Sequence, residues 1–191
     1  MKPAKKTYHQ FRIIAGELKG KVIKAPDLGV TRPPLTRLRK SIFDFLNPHI
    51  QHRTYLDLFS GTGSYLFEAI SRGASSAVGI EKELVLAEAI NKQSRDFGVD
   101  DRLSCLCDDV FKALPKLKEK QKKFDVIMVA PPQYRKIIDL TLRALKDHDL
   151  RDEEGFILCQ HDTSETKKID FLDFEIWQQR KYGNTTFTIL R

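Results

Sequence analysis

The sequence predicts an α/β fold in which helices cover both faces of a mostly parallel sheet. From Tyr55 onward, short apolar runs typical of strands alternate with amphipathic patterns typical of helices, which is the pattern of a doubly wound sheet. The first of these strands runs into a glycine-rich turn at residues 60–64. The first three strands each end beside an acidic residue. Together these observations favour a sheet whose carboxyl edge binds a ligand containing a nucleoside.

Five strands and three helices are expected along this part of the chain. Helices follow the glycine-rich turn and recur around Leu84 and Ile137, where apolar residues have helical spacing. Residues 116–123 form a charge run that we interpret as a solvated helix end. A pair of strands at 174–177 and 185–190, joined near Gly183, ends the chain. The five strands are expected at residues 55–59, 76–80, 103–107, 124–129 and 156–159.

The first fifty residues differ from the rest and are predicted to be an extension of the sheet domain. Residues 11–14 and 21–24 fit a β-hairpin whose turn spans residues 16–20. Pro33 and Pro34 interrupt the chain, and the apolar spacing of residues 38–46 then predicts an amphipathic helix. We therefore divide the chain into an extension, residues 1–50, and a sheet domain, residues 51–191.

The composition indicates a soluble protein rather than a membrane or disulfide-bonded one. Of the 191 residues, 41% are hydrophobic and 31% charged, and no apolar run approaches the roughly 18–20 residues of a membrane span. The basic first residues lead into polar ones, so we expect no secretory signal and a cytoplasmic location. The three cysteines argue against a disulfide framework. We expect Cys105 and Cys107 to be buried on one face of a strand, with no bound metal.

The positive charge is concentrated near the start of the chain. Residues 1–40 hold eleven Lys or Arg residues against only Glu17 and Asp27, whereas the whole chain carries +7. A basic extension on a near-neutral body predicts a polyanionic partner, since Lys and Arg neutralise phosphates and release counterions. A tail that only aids solubility is the alternative.

The predicted site lies at the ends of the first three strands. A glycine-rich turn lets a ligand approach the backbone closely, and Glu81 at the end of the second strand suits the two hydroxyls of a ribose. These features fit a dinucleotide or S-adenosyl-L-methionine. Dinucleotide sites prefer a third glycine where this chain has Leu66. Asp57 suits an ammonium group better than a pyrophosphate, and Asp109 can accept a hydrogen bond from an adenine amino group.

Three pairs of segments resemble one enzyme family. They are DLFSGTG and EAISRGA at residues 57–63 and 68–74, RIIAG and KGK at 12–16 and 19–21, and TRP and RLRKSIF at 31–33 and 37–43. These segments are similar to those of RsmD-type 16S rRNA guanine-N2 methyltransferases, and the resemblance covers nearly the whole chain. It implies a class I methyltransferase fold, which is a mostly parallel seven-stranded sheet with a final antiparallel strand.

The resemblance also implies a cofactor, a substrate and a set of site residues. The implied cofactor is S-adenosyl-L-methionine, and the implied partner is ribosomal RNA or the assembled small subunit. Independently of the resemblance, we expect a monomer that binds neither a metal nor a membrane. Glu81 would hold the ribose and Asp109 the adenine. The methionine end would be lined by Asp57, Ser60, Gly61 and Gly63. From the basic charge of the extension we expect the RNA phosphates to be bound by Arg12, Lys19, Lys21, Arg32, Arg37, Arg39 and Lys40.

The chain departs from the family at the catalytic motif. The family has Asp-Pro-Pro-Tyr after the fourth strand, and the catalytic segment here is Ala130, Pro131, Pro132, Gln133 and Tyr134. The family's Asp accepts a hydrogen bond from the target amine, whose lone pair is delocalised into the ring, and its Tyr stacks on the flipped base. Ala130 offers no side-chain acceptor. The change predicts a slow or altered enzyme as readily as a catalytically inactive RNA-binding or assembly protein, and a nucleotide-dependent oxidoreductase is a third alternative.

Overall fold

A seven-stranded mixed sheet with helices on both faces forms the body of the protein. The computed structural model describes residues 7–29, 36–132 and 136–191. The elements in chain order are β1 (Tyr8–Arg12), β2 (Val22–Pro26), α1 (Thr36–Ile50), β3 (Thr54–Asp57), α2 (Ser64–Ser71), β4 (Ser76–Glu81), α3 (Leu84–Phe97), β5 (Leu103–Cys107), α4 (Val110–Glu119), β6 (Phe124–Val129), α5 (Ile137–Asp147), β7 (Arg151–Asp162), β8 (Ile176–Tyr182) and β9 (Thr185–Leu190).

The order of the strands confirms the predicted fold class. The sheet runs β5-β4-β3-β6-β7-β9-β8, and β1 pairs with β2 in a separate antiparallel hairpin. Strands β3 to β7 are parallel, whereas β9 is antiparallel to both β7 and β8. The chain moves outward from β3 in one direction and from β6 in the other. Ligands of such sheets bind outside the carboxyl ends of the strands at this reversal.

Two of the parallel strands have the bounds that the sequence predicts. They are β5 and β6. Strand β6 is buried at nearly every position, and Asp125 is the one polar residue in its apolar run. Strand β7 begins five residues earlier than predicted, and its pairing with β6 is irregular between Phe124 and Val126. The charge run at residues 116–123 begins in the last turn of helix α4, as predicted, but the sequence pattern does not predict the earlier turns of that helix.

The N-terminal extension packs on the same core as the sheet. Ile13 and Ile23 of the hairpin region and Phe43 of α1 belong to one buried cluster with Phe67 of α2. At Gly16 a Cβ atom would lie 1.6 Å from the carbonyl oxygen of Ser71, so only glycine allows this approach of the hairpin turn to α2. The division at residue 50 therefore separates segments that share a hydrophobic core, and it stays a prediction about function.

One prediction about the cysteines is wrong. Cys105 is buried, and burial raises its pKa to about 12, but Cys107 is exposed. Strand β5 is the edge of the sheet and Cys107 is its last residue. Strand alternation puts the two side chains on one face, but Cys107 stands at the end of an edge strand that has a neighbouring strand on one side only. In the part of the chain that is described, no helix combines the length and apolar character of a membrane span.

Candidate active site

The turn between β3 and α2 has a backbone conformation that only glycine adopts easily. Gly63, the residue before α2, has φ of 75°, and a Cβ atom there would lie 2.7 Å from Cγ1 of Ile90. The turn is closed by a hydrogen bond from the Gly63 N–H to the Ser60 carbonyl (2.7 Å), and Ser60 N–H donates to the Ile80 carbonyl (3.0 Å). The turn is thus fixed to the end of β4, with the first backbone N–H groups of α2 at its rim.

Glu81 at the end of β4 holds this turn in place. Its Oε2 accepts from the Gly61 N–H (2.7 Å) and its Oε1 from the Glu83 N–H (2.9 Å). The residue is 8% exposed, and burial raises its pKa although both N–H groups oppose that shift. Because each carboxylate oxygen has two lone pairs, Glu81 retains capacity for two further donors, such as a pair of hydroxyl groups.

Asp57 at the end of β3 is buried, and one of its carboxylate oxygens accepts no hydrogen bond from the described residues. Oδ1 accepts from the Phe59 N–H (3.1 Å), and Oδ2 has no hydrogen-bond partner among the residues described. Burial raises the pKa of Asp57 to about 7, and the nearby charge of Glu81 adds to the rise. A buried carboxylate oxygen without a donor is unfavourable unless a ligand supplies one. The site therefore fits a ligand with an ammonium group, such as the methionine end of S-adenosylmethionine.

Asp109 follows the end of β5, and β5 is the strand next to β4 in the sheet. Its Oδ1 accepts from the Phe111 N–H (2.9 Å) and so caps α4. The residue is exposed, unlike Asp57 and Glu81. The three predicted acidic residues thus follow three adjacent strands in the order β3, β4 and β5, and only the first two are buried.

The predicted catalytic segment leaves the sheet at the end of β6. Ala130 is half-buried and packs against the core on the side of α1 and α2, Pro131 is buried and Pro132 is exposed. Gln133 and Tyr134 lie outside the described residues. Pro131 and Pro132 line a cavity of about 240 Å³ together with Gln160 at the end of β7. This volume is below the roughly 300–1,000 Å³ of pockets for drug-sized ligands and suits one ring system.

Two residues of this region were missed by the sequence reading. The Tyr65 hydroxyl donates to Oε1 of Gln160 at 2.7 Å, and Tyr65 is only 6% exposed. Tyr65 follows the glycine-rich turn, and Gln160 is a polar residue that follows the apolar run of β7. A polar side chain at the end of a buried parallel strand is the signal that could have identified Gln160.

Five of the seven predicted RNA-binding residues are exposed. Arg32 lies outside the described residues, and Lys40 pairs with Asp44 at 2.6 Å. Lys21 is held by a hydrogen bond to the Phe97 carbonyl (3.3 Å). The exposed residues are Arg12, Lys19, Lys21, Arg37 and Lys40.

The prediction for Arg39 is wrong, because its side chain is 1% exposed. Its Nη2 donates to the Arg12 carbonyl (2.6 Å), and its Nε lies 3.6 Å from Oε2 of the fully buried Glu68. Position 39 is three residues before Ile42 and seven before Leu46, which puts it on the apolar face of α1. The guanidinium of Arg39 therefore joins the hairpin, α1 and α2 rather than contacting a phosphate.

Two curated proteins are similar to this chain over most of its length. YlbH of Bacillus subtilis (strain 168), which carries the provisional name of an rRNA methyltransferase, is 24% identical over 181 residues, or 95% of this chain and 98% of YlbH. The ribosomal RNA small subunit methyltransferase D of Escherichia coli (strain K12) is 28% identical over 151 residues, or 79% of this chain and 74% of that protein.

Solved structures share the fold. The Escherichia coli protein yhhF, provisionally named a methyltransferase, matches with a TM-score of 0.81 at 22% identity, over 95% of this chain and 97% of that one. An RNA methyltransferase from Salinibacter ruber, solved in complex with S-adenosyl-L-homocysteine, matches with a TM-score of 0.64 at 16% identity, over 83% of this chain and 92% of that one. At these identities the likeness establishes the class I methyltransferase architecture of the sheet.

A family model described as conserved hypothetical protein 95 matches residues 11–191. The match includes the hairpin from residue 11 onward, the glycine-rich turn, Glu81 and the Ala130 segment. The chain belongs to the conserved hypothetical protein 95 family.

Proposed function

We propose that this chain is an S-adenosylmethionine-dependent RNA methyltransferase that acts on guanine N2 of small-subunit ribosomal RNA. The observation that carries the proposal is the unpartnered Oδ2 of Asp57, buried beside a glycine-rich turn that Glu81 holds in place. The names of the similar proteins support methyl transfer to ribosomal RNA. An rRNA substrate places this activity in the cytoplasm.

The cofactor half of the site has a role for each of its acidic residues. When bound, S-adenosylmethionine supplies an activated methyl group. Asp57 binds the ammonium group, Ser60, Gly61 and Gly63 line the methionine end, and Glu81 accepts hydrogen bonds from the ribose hydroxyls. Asp109 accepts from the adenine amino group through the carboxylate that also caps α4.

The acceptor half orients a weakly nucleophilic amine. Backbone carbonyls around Ala130 and Pro131 accept N–H bonds from the base and hold its nitrogen in line with the methyl group. The released proton passes to solvent, since a nitrogen that has gained a methyl group is strongly acidic and needs no dedicated base. Gln133 and Tyr134 are assigned to contacts with the flipped base.

The exposed basic residues of the extension bind the RNA backbone. Arg12, Lys19 and Lys21 lie on or beside the hairpin, and Arg37 and Lys40 lie on α1, all with exposed side chains. Arg32, outside the described residues, is assigned a phosphate contact as well. Phosphate contacts of this kind make binding strongly dependent on salt.

A non-catalytic RNA-binding protein is the second candidate. The observation that favours it is Ala130, which has no side-chain acceptor where the resembling family has an Asp. A charge-assisted hydrogen bond contributes about 1.5–3 kcal/mol, so its loss lowers a rate by roughly 10–150-fold. A protein of this kind would bind the cofactor and RNA without transferring a methyl group between them.

Transfer of labelled methyl from S-adenosylmethionine tests the proposal. Small-subunit ribosomal RNA, naked and as particles from an unmethylated strain, is incubated with the chain and its nucleosides are separated. We expect label in N2-methylguanosine. Absence of label from both substrates, with S-adenosylhomocysteine still raising the melting temperature, would leave the binding protein as the function. A melting temperature raised by NAD instead would point to the oxidoreductase.

A further inference from the structure

Gln160 lies beside Ala130 at the carboxyl edge of the sheet. Strands β6 and β7 are parallel, and their pairing ends with Met128 opposite Leu158 and Val129 opposite Cys159. The next residue along the chain is Ala130, directly after the end of β6, on one side and Gln160 of β7 on the other. In a parallel pair with neighbouring strands about 4.8 Å apart, the two side chains leave the sheet as neighbours.

The two side chains also lie on the same face of the sheet. Met128 and Leu158 both belong to the core under α1 and α2, and side chains two residues apart on a strand share a face. Ala130 packs against that same core. Gln160 reaches the Tyr65 hydroxyl on α2. The amide of Gln160 is therefore the polar group that adjoins the methyl side chain of Ala130 on this face.

The amide is oriented by Tyr65. The Tyr65 hydroxyl donates to Oε1 at 2.7 Å, so Oε1 lies on the side of Tyr65. Oε1 keeps a second lone pair, and the NH₂ group keeps two donors. Gln160 is half-buried and lines the 240 Å³ cavity with Pro131 and Pro132. Tyr65 is the second residue of α2, so this bond links the acceptor strand to the glycine-rich turn.

We propose that Gln160 is a catalytic residue that accepts a hydrogen bond from the exocyclic amine of the target base, in the place of the side-chain acceptor that Ala130 lacks. This role rests on the proposed function. The amine nitrogen forms a bond to the methyl carbon, the bond from that carbon to sulfur breaks with its electron pair left on sulfur, and one amine proton passes to solvent. Gln160 takes no proton and directs the nitrogen lone pair at the methyl carbon.

A neutral amide at this position has a defined consequence for the base. An amide offers an acceptor and a donor side by side, whereas a carboxylate offers two acceptors. Gln160 therefore matches a base edge that pairs its amine with a neighbouring ring acceptor, such as N2–H with N3 of guanine. It also stabilises positive charge on the amine less than a carboxylate does, so a low turnover rate is expected.

The test compares substitutions at the two adjacent positions in the methyl-transfer reaction with small-subunit RNA. We expect Gln160→Ala to lower kcat by roughly 10–100-fold, with KM for RNA and the Kd for S-adenosylhomocysteine within about twofold of the wild type. Gln178→Ala is the matched control, since Gln178 is a half-buried glutamine on β8 that does not line this cavity. It should leave all three constants unchanged.

Rescue separates contact with the amine from a structural effect. Ala130→Asp in the Gln160→Ala background should raise kcat by about tenfold or more over the single variant, because a carboxylate then accepts from the same amine. A wild-type kcat in Gln160→Ala, or a folded double variant without rescue, rejects this role while the proposed function stands. A wild-type chain that transfers no methyl group rejects both.

Discussion

The two halves of the sheet's carboxyl edge hold their polar groups by different means. Beside β3 and β4, carboxylates are fixed by backbone N–H groups: Glu81 by those of Gly61 and Glu83, and Asp57 by that of Phe59. Beside β6 and β7, Ala130 has no polar side chain, and Gln160 is held by one neutral hydrogen bond from a tyrosine. The first half holds its carboxylates with backbone N–H groups, whereas the residues that adjoin the acceptor position in the second half, Ala130 and Gln160, are neutral.

This difference indicates how each half responds to substitution. A buried carboxylate without a donor destabilises the free protein and becomes favourable only when a cationic ligand arrives. The cofactor half therefore couples ligand affinity to pH and to folding stability. Ala130 and Gln160 of the acceptor half carry no charge, so a neutral substitution such as Gln160→Ala should change the rate without changing the pH dependence of stability.

The largest effect is expected for Asp57→Asn. In the folded chain the pKa of Asp57 is raised to about 7 by burial, whereas an unfolded Asp titrates near pH 4. Between these values the folded state binds more protons than the unfolded state, so stability falls as the pH rises from about 4 to 7, by up to roughly 4 kcal/mol. Asparagine removes that fall, and urea unfolding at several pH values measures it.

The same substitution should weaken cofactor binding, so the two readouts move in opposite directions. We expect the Kd for S-adenosylhomocysteine to rise about 100-fold at neutral pH, as an ion pair is lost. Asp125→Asn is the control. Burial alone would raise the pKa of Asp125, but hydrogen bonds from Thr54 and Arg53 hold it below the usual value. Its stability contribution is present above pH 4 and lost in acid, and it lies at the opposite edge. Equal behaviour of the two variants would contradict the role of Asp57.

Glu81→Gln should have the next largest effect. A glutamine amide has one oxygen and one NH₂ group, so the NH₂ group must face the backbone N–H of either Gly61 or Glu83. One of the two hydrogen bonds is then lost, and two donors face each other. We expect a loss of about 1–3 kcal/mol in stability and a Kd for S-adenosylhomocysteine raised by roughly 10–50-fold. Calorimetric titration measures the affinity. Glu83→Gln keeps the backbone donor and should match the wild type; a similar loss in both variants would mean that the charge of this region, not the turn, is what matters.

The sequence predicts the cofactor half better than the acceptor half for a physical reason. Asp57 and Glu81 stand at the ends of apolar runs, and the ends of parallel strands fall at one edge whatever the details of packing. The neighbourhood of Ala130 and Gln160 depends on the register between β6 and β7, which apolar spacing does not encode. The prediction that Arg39 binds a phosphate was wrong for a similar reason, since its burial depends on Glu68 of helix α2, which lies far away in the sequence.

A smaller effect is expected for Tyr65→Phe, which tests the acceptor half alone. Loss of the hydroxyl frees the Gln160 amide to rotate, and we expect kcat to fall by about 2–10-fold with cofactor affinity unchanged. Tyr55→Phe is a close control: both rings contact Phe43, but the buried Tyr55 hydroxyl has no partner among the residues described. Initial rates at saturating RNA measure the difference. An equal fall in both variants would attribute the effect to the ring environment instead of the amide.

The smallest effect is expected for Arg37→Ala, which should change neither half of the edge. Arg37 is exposed at the start of α1, so its removal should leave stability within about 0.5 kcal/mol and reduce the slope of log affinity for RNA against log salt by roughly 0.7–0.9, the value for one phosphate contact. Filter binding across a salt series measures the slope. Because phosphate contacts act before the base reaches the site, kcat at saturating RNA should be unchanged. A fall in kcat with an unchanged slope would move Arg37 from the RNA backbone to the reacting base, and the separation between binding surface and acceptor half would no longer hold.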